Sequence, residues 1–84
     1  MSQKLTEQEI LSKVQEIITE HSFASETVKP GDTLSSLDAD SFDFIEITLA
    51  LEDEFGIMLS ETEEPTGQST SQTIAYIVHN KLNQ

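Results

Sequence analysis

The segment between Asp40 and Gly56 constrains the fold more than any other part of the chain. Its apolar side chains recur at intervals of three and four residues, which is typical of an α-helix and not of a strand. Gly56 follows at once, and glycine is the residue best suited to end a helix with a positive φ. We therefore predict one helix that begins at Asp40 or Ser41 and ends at Phe55.

The apolar side chains of this helix fall on two separate stripes when successive residues are placed about 100° apart. The members of the stripes are Phe44, Ile47, Leu51 and Phe55 on the first, and Phe42, Ile45 and Leu49 on the second. The arc between them carries mainly acidic residues: Asp43, Glu46, Asp53 and Glu54. One stripe is enough for the core of so short a chain, so the second stripe predicts contact with a partner.

Two further helices are expected from the same kind of pattern. The first has a complete start signature, with Thr6 as N-cap, Glu9 three residues later and Leu5 before the cap. Its inward positions are Ile10, Val14, Ile17, Ile18 and His21. The final helix, capped by Ser69 or Ser71, should have Tyr76 near its middle. Its inward positions are Ile74, Ile77, Val78 and Leu82.

The connections complete the predicted fold. Residues 22–40 form a long loop with a turn at residues 30–32, and its apolar anchors are Phe23, Val28, Leu34 and Leu37. Residues 60–71 are polar and include Pro65 and Gly67, which makes continuous helix there doubtful. We predict an all-α bundle of three main helices plus a short or irregular third helix, hence a four-helix bundle, in one domain over residues 1–84.

Charge and composition limit the possible partners. The 84 residues include 16 acidic and 4 basic side chains, for a formal net charge of -12. Such a chain repels nucleic acid and anionic membranes and attracts basic protein surfaces, unless the charge serves only solubility. It has no cysteine, so no disulfide or thiolate metal site can form. We expect a monomeric cytoplasmic protein without a membrane-spanning segment.

Ser41 stands out because of its surroundings. A serine at a helix start ordinarily caps a free backbone N–H. Here it also closes the long loop, follows Asp40, and opens the helix that has the surplus apolar stripe. The positive end of the helix dipole would favour a phosphodiester at this position.

Residues 37–42, Leu-Asp-Ala-Asp-Ser-Phe, resemble the signature Leu-Gly-x-Asp-Ser-Leu of the acyl carrier protein family. The similarity continues through residues 50–55 and, more weakly, through Leu59, Ile74, Tyr76 and Ile77. The resemblance implies that a phosphopantetheinyl transferase moves a 4'-phosphopantetheine arm from coenzyme A onto Ser41, next to Asp40. It also implies that the thiol of the arm holds acyl groups as thioesters, and that the carrier itself is not an enzyme.

The same resemblance assigns roles to other residues of the second helix. Partner contacts fall to acidic Asp43, Glu46, Glu52 and Asp53 and to apolar Phe42, Ile45 and Leu49. An acyl groove is expected beside Phe44 and Thr48. The implied partners are the transferase and the acyl-loading and acyl-processing enzymes of fatty acid, lipid or polyketide synthesis, through basic docking surfaces. The alternative is that these carboxylates are simply the solvated side of a helix.

Three residues depart from the family pattern. Asp38 stands where glycine is usual, and Phe42 where leucine is usual. Phe44 replaces a small residue near the expected groove, where its ring could fill part of the space or simply pack in the core. We interpret these changes, together with the polar run of residues 60–71, as signs of a specialised bacterial carrier. The Phe44 ring predicts a preference for short, polar or otherwise unusual acyl groups over long saturated chains.

Competing functions differ in how well the sequence supports them. A peptidyl or aminoacyl carrier, or an unmodified acidic adaptor, would share much of this pattern. A serine hydrolase is rejected, because His21 and His79 lie near the ends of other helices and Ser41 has no nucleophile-elbow sequence. A calcium loop is rejected as well, since Leu49 stands where the closing glutamate is required, and we expect no metal site.

Overall fold

A computed structural model describes residues 5–21 and 28–83 of the chain. In these ranges the chain forms α1 (Glu7–Glu20), a 3₁₀ turn (Ser35–Leu37), α2 (Ser41–Phe55) and α3 (Ser71–Leu82). The only β-type pairing within them is an isolated antiparallel bridge between Thr33 and Thr70. The all-α prediction is confirmed. A four-helix bundle is not confirmed, because residues 60–70 form turns.

Helix α1 is the element around which the core forms. It packs against both α2 and α3, while those two scarcely approach each other directly. The predicted capping box at its start is confirmed: Thr6 Oγ1 accepts from the Glu9 amide at 3.1 Å, and Glu9 Oε1 accepts from the Thr6 amide at 2.9 Å. The Thr6 amide, followed by the Thr6 side chain, lowers the pKa of the Glu9 carboxyl. The buried apolar side chains of the core are Ile10, Val14, Ile17, Ile18, Val28, Leu34, Ile47, Leu51, Leu59, Ile74, Ala75 and Val78.

Helix α3 differs from the prediction at both ends. Its N-cap is Thr70 and not Ser69 or Ser71, because Thr70 Oγ1 accepts from the Thr73 amide at 3.1 Å. Ser69 Oγ instead accepts from the Thr66 amide. Leu82 was predicted to point inward but is 38% exposed in the last turn. Leu82 is the last residue of α3 and lies outside the core.

Left-handed backbone marks two boundaries near α2. Gly56, the C-cap, has φ 64°, as expected for a residue that ends a helix. Asp38, which ends the 3₁₀ turn, has φ 62°. Aspartate thus adopts here the conformation for which glycine is the usual choice, since aspartate tolerates it better than most residues do.

The segment after α2 begins like a helix and stops after one turn. Ser60 and Glu63 form the start signature, since Glu63 Oε1 accepts from the Ser60 amide at 2.9 Å. Pro65 then lacks an amide donor and disfavours helical backbone at the residue before it. This is why the region contains turns and no third helix between α2 and α3.

The long loop before α2 is held by the segment before α3. The Leu34 amide donates to Ser69 O at 2.8 Å, and the Ser35 amide donates to Gly67 O at 3.0 Å. Leu34 and Val28 are buried, as predicted for anchors of this loop, and Leu37 is partly buried. The other predicted anchor, Phe23, lies outside the described residues. None of the described helices is long and apolar enough to span a membrane.

Replacing Gly56 tests whether its positive φ sets the end of α2. Gly56→Ala should lower the free energy of unfolding by about 1 kcal/mol, because alanine disfavours left-handed backbone. Gly31→Ala is the matched control, because Gly31 lies in open space and has no such φ. Urea denaturation of the two variants measures the difference. Equal stability of the two variants would contradict the assignment.

Candidate functional site

The start of α2 is capped by two carboxylates. Asp40 Oδ1 accepts from the Asp43 amide at 3.1 Å, and Asp43 Oδ2 accepts from the Asp40 amide at 3.0 Å. Asp40 itself is extended, with φ -112° and ψ -174°, as an N-cap residue should be. The helix start therefore needs no hydroxyl to satisfy these two amides.

Ser41, the first residue of α2, is exposed to solvent. Within residues 5–21 and 28–83, no hydrogen bond engages its hydroxyl. The ordinary explanation of this serine as a helix cap is wrong, because Asp40 occupies that position. What remains is an exposed primary alcohol at the positive end of a helix, with no hydrogen-bond partner among the described residues.

The loop of residues 28–40, called the attachment loop after the candidate attachment residue Ser41, has a defined shape. Leu34 O accepts from the amides of both Leu37 and Ala39, each at 3.1 Å. Asp38 between them takes the left-handed conformation. Because Leu34 is also fully buried, the turn that leads into Ser41 is tied to the core. The hydroxyl is thus both accessible and held in place.

The second apolar stripe lies outside the core, as predicted. Phe42 is 74% exposed, Ile45 58% and Leu49 60%. The first stripe faces inward, with Ile47 and Leu51 fully buried. Three large apolar side chains in water on one helix form a surface suited to contact with another protein.

The predicted docking carboxylates have different surroundings. Asp43 belongs to the capping box, and Glu46 Oε2 lies 3.1 Å from His21 Nδ1, at the end of α1. Glu52 Oε2 accepts from the Leu59 amide at 2.9 Å. Asp53 is exposed, and no hydrogen bond or ion pair of the described residues engages it.

Sequence reasoning missed these structural uses. The Asp-x-x-Asp spacing of Asp40 and Asp43 was a local signal for the capping box. The contacts of Glu46 and Glu52 had no such signal, since they depend on how α1 and the chain after α2 fold back onto α2.

A groove of about 200 Å³ lies between α2 and the segment that follows it. Its lining residues are Phe44, Ile45, Thr48, Leu49, Glu52, Glu64 and Pro65. The two residues predicted for an acyl groove are therefore brought together, while Glu64 and Pro65 were not predicted. Phe44 packs near Gly67, where an added Cβ would lie 3.9 Å from Phe44 Cζ. Phe44 therefore lines the groove and lies close to Gly67.

A second groove of about 280 Å³ lies between α1 and α3. Its lining residues are Glu7, Gln8, Leu11, Gln72, Ala75 and Tyr76. It is larger but contains none of the predicted site residues, whereas the groove beside α2 is lined by several of them.

Comparison with known proteins agrees with this geometry. The family described as "Phosphopantetheine attachment site" matches residues 8–77. The chain is 34% identical to an acyl carrier protein of Lactobacillus johnsonii (87% of this chain, 94% of the relative) and 41% identical to one of Streptococcus thermophilus (81% and 90%). It is 32% identical to an acyl carrier protein of Cyanidium caldarium (94% and 98%). No solved structure gave a significant match.

Substitutions at Asp40 and Ser41 distinguish the residue that caps α2 from the residue that only exposes a hydroxyl. Asp40→Ala should lower the free energy of unfolding by about 1 kcal/mol, because it removes the N-cap of α2. Ser41→Ala should change it by less than about 0.5 kcal/mol, because the hydroxyl has no partner to lose. Chemical denaturation of both variants provides the measurement. A loss at Ser41 as large as that at Asp40 would show that the serine contributes to the cap.

Proposed function

This chain belongs to the acyl carrier protein family, and from that membership we propose that Ser41 is the residue to which its 4'-phosphopantetheine is attached. As a member, the protein carries acyl groups as thioesters on this covalent arm and is not an enzyme. The comparisons favour neither an aminoacyl carrier nor an unmodified adaptor. The observation that carries the proposal is the free, exposed hydroxyl of Ser41 beside a helix start that Asp40 already caps.

The residues at the start of α2 fit a phosphodiester. The helix dipole favours negative charge at Ser41. The carboxylates of Asp40 and Asp43 already accept from the nearby amides, so the phosphodiester is expected to extend into water and not to fold back onto those two amides. The arm supplies a terminal thiol. Because the chain has no cysteine, that thiol is the only one at which a thioester can form.

The chain's own part in loading is to present a nucleophile. Attack by Ser41 Oγ on the coenzyme A phosphorus forms the new ester bond and releases adenosine 3',5'-bisphosphate. The serine proton must pass to a base of the transferase, since no described side chain bonds to the Ser41 hydroxyl. The carrier is therefore the substrate of this reaction.

The proposal includes a docking surface on α2. Phe42, Ile45 and Leu49 form its exposed apolar part. Glu46 and Asp53 supply charge that would meet arginine or lysine on the transferase and on the acyl-loading and acyl-processing enzymes of fatty acid, lipid or polyketide synthesis. Asp43 and Glu52 add negative charge, but their carboxylates also hold backbone amides.

We assign the groove beside Phe44 and Thr48 to the acyl group. The Phe44 ring on its wall supports a specialised carrier for short or polar acyl groups, because it stands where the family usually has a smaller residue. Glu52 and Glu64 on its walls support the same preference, since a long saturated chain gains nothing from carboxylates. The proposal also includes one monomeric domain over residues 1–84 and a cytoplasmic location, where coenzyme A would meet the partner enzymes.

Intact mass spectrometry tests the attachment site. After incubation with coenzyme A and a broad-specificity transferase, the wild-type chain should gain the mass of one phosphopantetheine, and Ser41→Ala should gain none. Ser12→Ala, at an exposed serine of α1, is the matched control and should be modified fully. A modified Ser41→Ala chain would refute the assignment. So would an unmodified wild type, if a known carrier is labelled in parallel.

Charge removal tests the docking surface. Asp53→Asn should lower kcat/KM of the transferase by about 1.4- to 5-fold at low salt, the range expected for one exposed ion pair. The difference should fade at high salt because the interaction is screened. Glu16→Gln removes the same charge from an exposed position of α1 and should have less effect. Equal losses of kcat/KM in the two variants would show that the transferase responds to the net charge of the carrier and not to Asp53 as a docking residue.

A further inference from the structure

We propose that Lys81 is a positioning residue that holds the outer wall of the groove beside α2 and so limits the length of acyl chain that the groove accepts. The inference rests on the proposed role of this groove as the acyl site. Lys81 does not line the groove. It would act through Glu63, which precedes the lining residues Glu64 and Pro65.

The outer wall of the groove is formed by residues 59–69, called here the wall segment. This segment lines the groove through Glu64 and Pro65. At its beginning the Leu59 amide donates to Glu52 Oε2 of α2 at 2.9 Å. At its end Gly67 O and Ser69 O accept from the attachment loop, at 3.0 and 2.8 Å. In its middle Lys81 Nζ of α3 lies 2.8 Å from Glu63 Oε1. The wall segment is thus attached to α2, α3 and the loop in turn.

The middle attachment differs from the other two in kind. The contacts at both ends involve backbone atoms of the wall segment, whereas Lys81 and Glu63 meet through side chains alone. Pro65 is buried and has a restricted φ, which stiffens the short stretch between Glu63 and Gly67. Outward movement of Glu64 and Pro65 therefore requires either a broken backbone contact or separation of Lys81 from Glu63.

Glu63 is well placed to act as the link. Its Oε1 accepts from the Ser60 amide and hydroxyl, each at 2.9 Å, so the carboxylate holds the turn of residues 60–63 together as well as binding Lys81. The Lys81 ammonium and the Ser60 donors lower the pKa of Glu63 to about 2. The carboxylate is therefore charged at every pH at which the folded carrier would be studied.

The expected consequence is a limit on acyl length. Each methylene that enters the groove leaves water and stabilises the folded carrier. Once the space of about 200 Å³ is filled, a longer chain must displace Glu64 and Pro65 or remain in solvent. In the wild type, the stability of the folded carrier should stop rising once the acyl chain fills the groove. Without Lys81, stability should continue to rise with longer acyl chains.

The test is a thermal melting series on the full-length carrier, loaded through the arm with even-numbered acyl groups from butanoyl to tetradecanoyl. The wild-type melting temperature should rise with chain length and then level off. In Lys81→Met, which keeps the apolar stem, the plateau should begin about one step later, since each step adds two methylenes and a partly buried ion pair is worth about as much as burying one or two methylenes. Lys81→Arg should restore the wild-type plateau.

Two further variants make the result specific. Lys13→Met removes the same charge from an exposed position of α1 and should leave the plateau unchanged. Glu63→Gln removes the negative charge of the pair with Lys81. The plateau of the melting temperature should therefore shift to longer acyl chains, as in Lys81→Met. Circular dichroism of each unloaded variant confirms that it is folded before it is loaded.

The outcomes separate this inference from the proposed function. A uniform loss of stability in Lys81→Met, with the plateau at the wild-type length, would show a merely structural role and overturn the inference. An equal shift in Lys13→Met would also overturn it. If no acyl group raises the melting temperature of even the wild-type carrier, the assignment of the groove to the acyl group is wrong. The inference about Lys81 is then wrong as well.

Discussion

The reciprocal hydrogen bonds between Asp40 and Asp43 determine what Ser41 is able to do. Each carboxylate accepts from the backbone amide of the other residue, and together they begin α2 without using the serine hydroxyl. If the serine were the cap, its oxygen would be bound to the helix and less available to a transferase. The exposed stripe of Phe42, Ile45 and Leu49 and the groove both lie on α2, the helix whose start these bonds define.

Features that depend on local spacing could be predicted from the sequence. The bounds of α2, the capping box of α1 and the outward stripe of Phe42, Ile45 and Leu49 all follow from residues three or four positions apart. The candidate attachment residue was also predicted, from its resemblance to a known signature. What could not be predicted depends on chain segments that meet only in the folded protein, such as Glu46 with His21 and Glu63 with Lys81.

The cap of α3 shows how a local signal can mislead. Ser69, Thr70 and Ser71 are all plausible N-caps by residue type. Thr70 takes the role because it also pairs with Thr33, which fixes its extended backbone at the point where the attachment loop crosses. Ser71 is fully buried, and its hydroxyl has no partner among the described residues. Tertiary contact thus decided between candidates that local preference left equivalent.

The acidic side chains of this chain fall into two groups with different surroundings. Asp53 is exposed and has no hydrogen bond or ion pair among the described residues, whereas Glu52 and Glu63 bind backbone amides and Glu63 also binds Lys81. The carboxylates of Glu52 and Glu63 hold the wall segment, and α2 and α3 scarcely touch each other beneath it. Helix α1 carries the core between α2 and α3, and its buried residues do not line the groove. The wall segment includes the buried residues Leu59 and Pro65, so widening the groove would disturb the edge of the core as well as the pair of Lys81 with Glu63.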